Sequence, residues 1–236
     1  QVEISGGANV QNASDAFYSS NARRYSEVVH EYIQSVYSHV SHPGLTGDPA
    51  VRTRMKELIP SKSRGLDAGC GAGARDVFLY WQDGYDIWGF DAVPENIQVA
   101  KDLHPEISDN IWVGDLSKPI EYPESYFDFV TCNAVIQHIP PELVKSTTLP
   151  ELTRVLKHGG ILQLMFKVGN GIKEVYDKDY DVDRSFQLYS ANDIVQLISG
   201  LGLTVIEEDN GKLGGVMYFT DTKPVEHCLI YAEKKG

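Results

Sequence analysis

The feature that most constrains this chain is a glycine-rich loop set between a short apolar strand and a helix, Leu66-Asp67-Ala68-Gly69-Cys70-Gly71-Ala72-Gly73. Arg64 to Ala68 reads as the strand, and Ala74 to Trp81 as the helix, stopped near Gly84. The glycines let the backbone turn sharply and keep Cβ atoms out of a ligand's path. The helix start that follows presents unpaired N–H groups. A loop of this kind occurs in several nucleotide-binding folds and also in plain turns, so its neighbours must decide its meaning.

Those neighbours keep the strand–helix rhythm. Strands are expected over Tyr85 to Phe90, Asn110 to Val113, Tyr126 to Asn133 and Ile161 to Val168. Helices are expected over Pro94 to Leu103 and Pro141 to Leu156, the second kinked or divided at Pro150. Ser190 caps a further helix to about Ser199, and Leu203 to Glu207 and His227 to Ala232 close the chain as strands. This order predicts an α/β fold, a doubly wound and mostly parallel sheet with helices on both faces. Residues 1–13, rich in Gly, Asn and Ser, read as a flexible tail. Residues 14–60 read as an N-terminal helical cap. In it Ser14 or Asp15 caps a long helix, and Phe17, Tyr25, Val28, Val29, Tyr32, Ile33 and Val36 recur at helical steps. A second helix runs from Asp48 to Ile59. The α/β domain then fills residues 61–236, with a polar loop insertion near 169–188.

Composition removes some functions. The 236 residues carry a formal net charge of −12, which disfavours nucleic acid as a partner. No run of about 18 apolar residues marks a membrane span, and no signal-peptide pattern is evident. Cys70, Cys132 and Cys228 have neither a disulfide nor a zinc spacing, so no metal is expected and the cytoplasm is the expected location.

The chemistry-bearing residues follow the strands in order. Asp91, with Ala92 beside it, ends the second strand 20 residues after Gly71, where a carboxylate suits the two ribose hydroxyls of an adenosine ligand. That pairing also describes an NAD site. Asp67 discriminates, because a carboxylate inside the loop repels a pyrophosphate and suits a ligand carrying ammonium and sulfonium groups. Asp115 and Leu116 follow the third strand, where a carboxylate accepts from an adenine amino group and an apolar side chain packs the ring. Cys132, Asn133 and Ala134 end the fourth strand, on the side where open α/β sheets hold ligands.

Asp67-Ala68-Gly69-Cys70-Gly71-Ala72-Gly73, Asp91, Asp115-Leu116, the strand to Asn133 and the Leu152-to-Gly160 helix and turn together resemble class I S-adenosylmethionine-dependent methyltransferases. The resemblance spans about residues 60–210. It implies a Rossmann-like sheet of seven strands with an antiparallel last strand, and S-adenosylmethionine as cofactor, leaving S-adenosylhomocysteine. Phe17-Tyr18, Ala22, Tyr25, Arg75-Asp76 and Phe166-Lys167-Val168-Gly169 are similar to a bacterial, small-molecule-type group, with one extra residue near Ala74. That likeness implies an N-terminal helix covering the cofactor, with Tyr18 and Tyr25 at its methionine part. The implied cofactor set is Tyr18, Tyr25, Asp67, Gly69, Cys70, Gly71, Asp91, Ala92, Asp115, Leu116, Asn133 and Ala134.

In-line methyl transfer needs alignment and exclusion of water, with a base only where the acceptor starts protonated. His138 is the candidate base, Glu142 a weaker one, and His104 a structural residue. Tyr176, Tyr180, Phe186 and Tyr189 lie among acidic residues in a pattern that suits a cationic amine or a solvated insertion. The expected function is methyl transfer to a small-molecule acceptor. A non-catalytic S-adenosylmethionine-binding partner protein, an NAD(P)-dependent oxidoreductase and a protein methyltransferase are the alternatives.

Overall fold

The computed structural model describes residues 2–31, 36–221 and 225–236. In chain order the elements are α1 (Val2–Glu31), α2 (Asp48–Leu58), β1 (Arg64–Ala68), α3 (Arg75–Gln82), β2 (Asp86–Asp91), α4 (Pro94–Leu103), β3 (Ile111–Val113), β4 (Phe127–Asn133), α5 (Pro141–Leu143), α6 (Leu149–Val155), β5 (Leu156–Lys167), β6 (Ile172–Asp177), β7 (Val182–Gln187), α7 (Ala191–Gly200), β8 (Leu203–Val205), β9 (Met217–Thr220) and β10 (Glu226–Lys234).

The main sheet has eight strands in the order β3-β2-β1-β4-β5-β10-β8, with β9 also paired to β10. β1 to β5 run parallel, and β10 lies antiparallel to β5. The antiparallel last strand is as expected, but the sheet has one strand more than the expected seven. The addition is β9, which shares the outer edge of β10 with β8: β9 pairs Glu226 to Leu229 and β8 pairs Ala232 to Lys234. The central strands read as apolar runs because both faces are covered. In β4, Val130 and Cys132 pack towards α6 and α7, while Phe129 packs with Tyr80 and Met55 on the other face. β5 alternates in the same way, Leu162 and Leu164 against Ile161.

Two sequence expectations need correction, and a third is met. Residues 2–13 are not a tail but the opening turns of α1. Gly6, Gly7 and the asparagines lower intrinsic helix propensity, yet Val10 and Ser14 are buried against the domain. The expected continuation through Tyr32 and Ile33 lies outside the described residues. Stretch 169–188 is a β-hairpin rather than a loop, with Tyr176 opposite Asp183 and Lys173 opposite Phe186. Its turn closes on Asp181 at φ 54°. The helix expected over Pro141 to Leu156 is divided, as Pro150 demands: a wide turn at Val144–Thr148 separates α5 from α6, and Pro150 sits in the first turn of α6. Among the described residues no helix is long and apolar enough to cross a membrane, and no group of His, Cys, Asp and Glu has the geometry for a metal ion.

Candidate functional site

A cavity of about 240 Å³ opens beyond the carboxyl ends of β1 to β4, beneath α1. β1 and its loop contribute Asp67, Gly69, Cys70 and Gly71; β2 contributes Asp91 and Ala92. Asp115 and Leu116 come from the turn after β3, and Asn133 and Ala134 from the end of β4. Tyr18 and Tyr25 reach in from α1, and His138 from the turn after β4. The implied cofactor set and His138 therefore line one space.

Two glycines shape the floor. Gly69 sits at φ 89°, and a Cβ there would lie 2.3 Å from Val135 Cγ2. Gly71 sits at φ 73° with nothing within 4 Å of where its Cβ would be, so its backbone is bare to the cavity. The extra residue near Ala74 is absorbed by a left-handed turn: Ala74, fully buried, has φ 40° and ψ 40° at the start of α3. Arg75 and Asp76 then point back to α2, Arg75 pairing with Asp48, and Asp76 with Arg52 at 3.1 Å.

The three strand-end carboxylates differ in state. Asp67 is buried and accepts from Thr131 Oγ1 at 2.9 Å. Burial, followed by the charges of Asp76 and Asp91, pushes it up to about 8. Asp91 accepts from Gly71 N at 3.1 Å, Val93 N at 3.0 Å and Asn96 Nδ2 at 3.0 Å. Burial raises its pKa against the pull of those donors. Asp115 accepts both the N–H and the hydroxyl of Ser117, at 2.8 and 2.7 Å, through one oxygen, which leaves the other for a ligand. Asp15, placed by α1, faces the same space, and its pKa is raised by burial and by Asp115 and Asp91.

His138 is placed at the cavity but in a state unsuited to the base expected from sequence. Arg184 Nη2 donates to Tyr18 Oη at 2.8 Å, and Tyr18 Oη hydrogen-bonds with His138 Nε2 at 3.3 Å. His138 Nδ1 hydrogen-bonds with Ser14 Oγ at 2.7 Å. Both ring nitrogens are spent on α1. Burial, then the charges of Arg184 and Lys167, lower its pKa to about 3, so the ring stays neutral and takes no proton near neutrality. Glu142 is exposed and lines no cavity described here, and His104 stacks on Phe78 at 4.0 Å in a packing role.

The His138 linkage has a definite sign. Its folded pKa lies below the unfolded 6.5, so the stability it contributes is present above pH 6.5 and lost as pH falls towards 3. Wild-type stability should fall by up to about 1.4 kcal/mol per pH unit across that window on this account, and His138→Gln should remove that slope. Chemical denaturation of both proteins at a series of pH values measures it, and equal slopes would refute it.

A second cavity of about 270 Å³ adjoins the first, and Tyr18, Tyr25, Arg75, Asp76, Asn133 and Ala134 border both. Tyr180 and Phe186 of the hairpin region line it, whereas Tyr176 is exposed and Tyr189 is buried, donating to Ile139 O. The acidic residues of the hairpin do not make an amine pocket: Asp177 is paired to the buried Arg184 at 3.3 Å, and Asp179, Asp181 and Asp183 line neither cavity. Sequence reasoning missed Gln11, Asn96 and Arg184, and took Ser14 and Asp15 only as caps. The one available signal was a lone arginine at an inward position of the alternation Val182, Arg184, Phe186.

A family described as a methyltransferase domain matches residues 66–164. The chain is 30% identical over 145 residues to a malonyl-[acyl-carrier protein] O-methyltransferase of Herminiimonas arsenicoxydans, covering 57% of this chain and 49% of that one. The chain spans less than half the length of the curated relatives it matches. Among solved structures, a TehB-like SAM-dependent methyltransferase from Corynebacterium glutamicum superposes with a TM-score of 0.63 at 20% identity, over 92% of this chain and 99% of that one. The Burkholderia thailandensis 1,6-didemethyltoxoflavin-N1-methyltransferase, solved with 1,6-didemethyltoxoflavin and S-adenosylhomocysteine, gives a TM-score of 0.65 at 14% identity, over 98% and 91%.

Proposed function

We propose that this chain, whose residues 66–164 match a methyltransferase domain family and whose fold is that of class I S-adenosylmethionine-dependent enzymes, transfers a methyl group from that cofactor to a small-molecule acceptor. One observation carries the reading: carboxylates at the ends of three successive strands line one cavity, and Asn133 and Ala134 divide it from a second.

The residues present fit the cofactor. The bare backbone at Gly71 is a cradle that a Cβ would fill, and the buried carboxyl of Asp67 suits an ammonium or sulfonium, which would favour its ionised form. Asp91 would hold the ribose hydroxyls, with Asp115 and Leu116 at the adenine. Tyr18, Tyr25 and Asp67 would hold the methionine part beside Asn133 and Ala134. When bound, the cofactor supplies an electrophilic methyl whose bond to sulfur breaks with its electron pair left on sulfur, while an acceptor lone pair makes the new bond. The chain's own work is alignment and exclusion of water, with α1 as the roof. With His138 neutral and spent, the acceptor atom must arrive with its lone pair free or be ionised by its surroundings. The free thiols of Cys70, Cys132 and Cys228 fit a reducing compartment, and the cytoplasm is the proposed location.

The relatives named above include a malonyl-[acyl-carrier protein] O-methyltransferase and a 1,6-didemethyltoxoflavin-N1-methyltransferase, which favour a metabolite group as acceptor over a nucleic acid. The direct test is methyl-labelled cofactor with metabolite extracts, followed by mass spectrometry. A labelled product is expected. Binding of NADH with none of S-adenosylhomocysteine would sink the reading.

A linked expectation concerns protons. A ligand cation beside Asp67 lowers its pKa from about 8, so binding S-adenosylmethionine at neutral pH should release a fraction of a proton, up to about one. Calorimetry in buffers of different ionisation enthalpy reads this directly. Asp67→Asn should abolish it, and a wild-type enthalpy independent of buffer would remove Asp67 from the ligand's surroundings.

A further inference from the structure

Several of the side chains that line the second cavity are rings. Tyr37 stacks on Phe219 at 3.9 Å and 12°, and Phe219 stacks on His227 at 5.1 Å and 12°, so three near-parallel rings make one wall. Tyr180 and Phe186 stand elsewhere in its lining. The faces of stacked rings are largely used on one another, and the edges they present suit the face of a flat ligand in an edge-to-face contact.

Its lining also carries many polar side chains, and three of their atoms stand apart from the paired ones. Gln137 Oε1, Tyr80 Oη and Tyr180 Oη are buried and have no hydrogen-bond partner among the described residues. Gln137 as a whole is 4% exposed. A buried acceptor left unpaired is costly, and a ligand N–H or O–H would relieve it. Small-molecule sites use polar groups of this kind to fix a ligand's orientation.

One end is cationic. Lys167 Nζ and the Arg184 guanidinium lie 4.7 and 4.9 Å from the centre of the same Phe186 ring, and both residues are buried. Lys167 Nζ donates to His227 Nε2 at 3.3 Å. Burial and Lys167 lower His227 to about 4, while Asp221, also in the lining, pulls the other way. His138 feels both cations. Both histidines thus feel cationic charge, with Asp177 paired to Arg184 and Asp221 in the lining as the opposing charges.

We propose that the second cavity is the acceptor site and takes a flat, conjugated small molecule bearing an anionic oxygen. That oxygen lies at the Lys167–Arg184 end, and the methyl-accepting atom lies at the wall formed by Asn133 and Ala134. Gln137 receives a donor from the same molecule. This rests on the methyl-transfer reading, and it names what that reading leaves open.

The test titrates the full chain, saturated with S-adenosylhomocysteine, with 2-naphthoate, 2-naphthylamine and cyclohexanecarboxylate by calorimetry. Naphthoate should bind, with the amine and the non-planar acid weaker by about tenfold or more. Lys167→Met should weaken naphthoate by about tenfold while S-adenosylhomocysteine binds as before, which also reports that the variant is folded. Equal or tighter binding of the amine, equal binding of the non-planar acid, an unaffected Lys167→Met protein or no naphthoate binding would each overturn the proposal. The three-probe comparison decides on the wild-type protein even if the variant fails to fold. Failure of S-adenosylhomocysteine itself to bind would instead overturn the methyl-transfer reading.

Discussion

Asp91→Ala should weaken S-adenosylhomocysteine binding by about 1.5–3 kcal/mol, the worth of a hydrogen bond to a charged group, or roughly tenfold to more than a hundredfold in affinity. The carboxylate serves two parties. It already accepts from Gly71 N, Val93 N and Asn96 Nδ2, and in the proposed complex it would also meet the ribose. Alanine therefore loses a ligand contact and frees the glycine loop whose shape the ligand needs. Asp91→Asn separates these effects. It keeps the side-chain volume and one acceptor oxygen, so it should preserve more of the loop than of the ligand affinity. Calorimetry gives the affinities and thermal unfolding the state of the loop. An unchanged affinity in Asp91→Ala would take the residue out of the site.

The second large effect is on stability. Gly69→Ala places a Cβ at φ 89° and 2.3 Å from Val135 Cγ2. The left-handed backbone costs an L-residue roughly 1–2 kcal/mol, and forcing the overlap apart costs roughly 1–3 kcal/mol more. For a domain of this size, a total near 3 kcal/mol lowers the Tm by roughly 6–12 °C. Scanning calorimetry of the two proteins measures it. Because Val135 follows the last residues of β4, relief of the clash displaces Ala134 as well, so cofactor affinity should fall with stability. A melting temperature within about a degree of wild type would mean that the loop can relax in a way this geometry does not show.

Much of the sheet was legible because its strands are buried on both faces. Phe127 to Asn133 and Ile161 to Phe166 are apolar runs that only a covered central strand explains. The strand-end carboxylates were legible for a related reason: parallel topology sends every strand end to the same crevice, so order along the chain becomes proximity in space. What stayed hidden depends on contacts between distant segments. The first turns of α1 have poor helix formers and gain their order from what Val10 and Ser14 pack against. The hairpin of β6 and β7 reads as polar and irregular because its inward arginine looks like surface charge. Only the fold reveals that Asp177 pairs with Arg184, that Phe17 lies beneath the guanidinium at 4.0 Å, and that Tyr18 takes its hydrogen bond. The state of His138 was hidden for the same reason, since a sequence shows an imidazole near a strand end but not the partners that use up both its nitrogens.

The roof of α1 spans both cavities, with Tyr18 and Tyr25 common to the two. In the proposed complex, cofactor and acceptor would therefore lie beneath one helix. Lifting α1 breaks the bonds of Ser14 and Tyr18 to His138, the bond from Arg184 and the surface pair of Arg23 with Asp102 in one movement. α1 is thus held to the domain at points spread along its length, from Ser14 to Arg23.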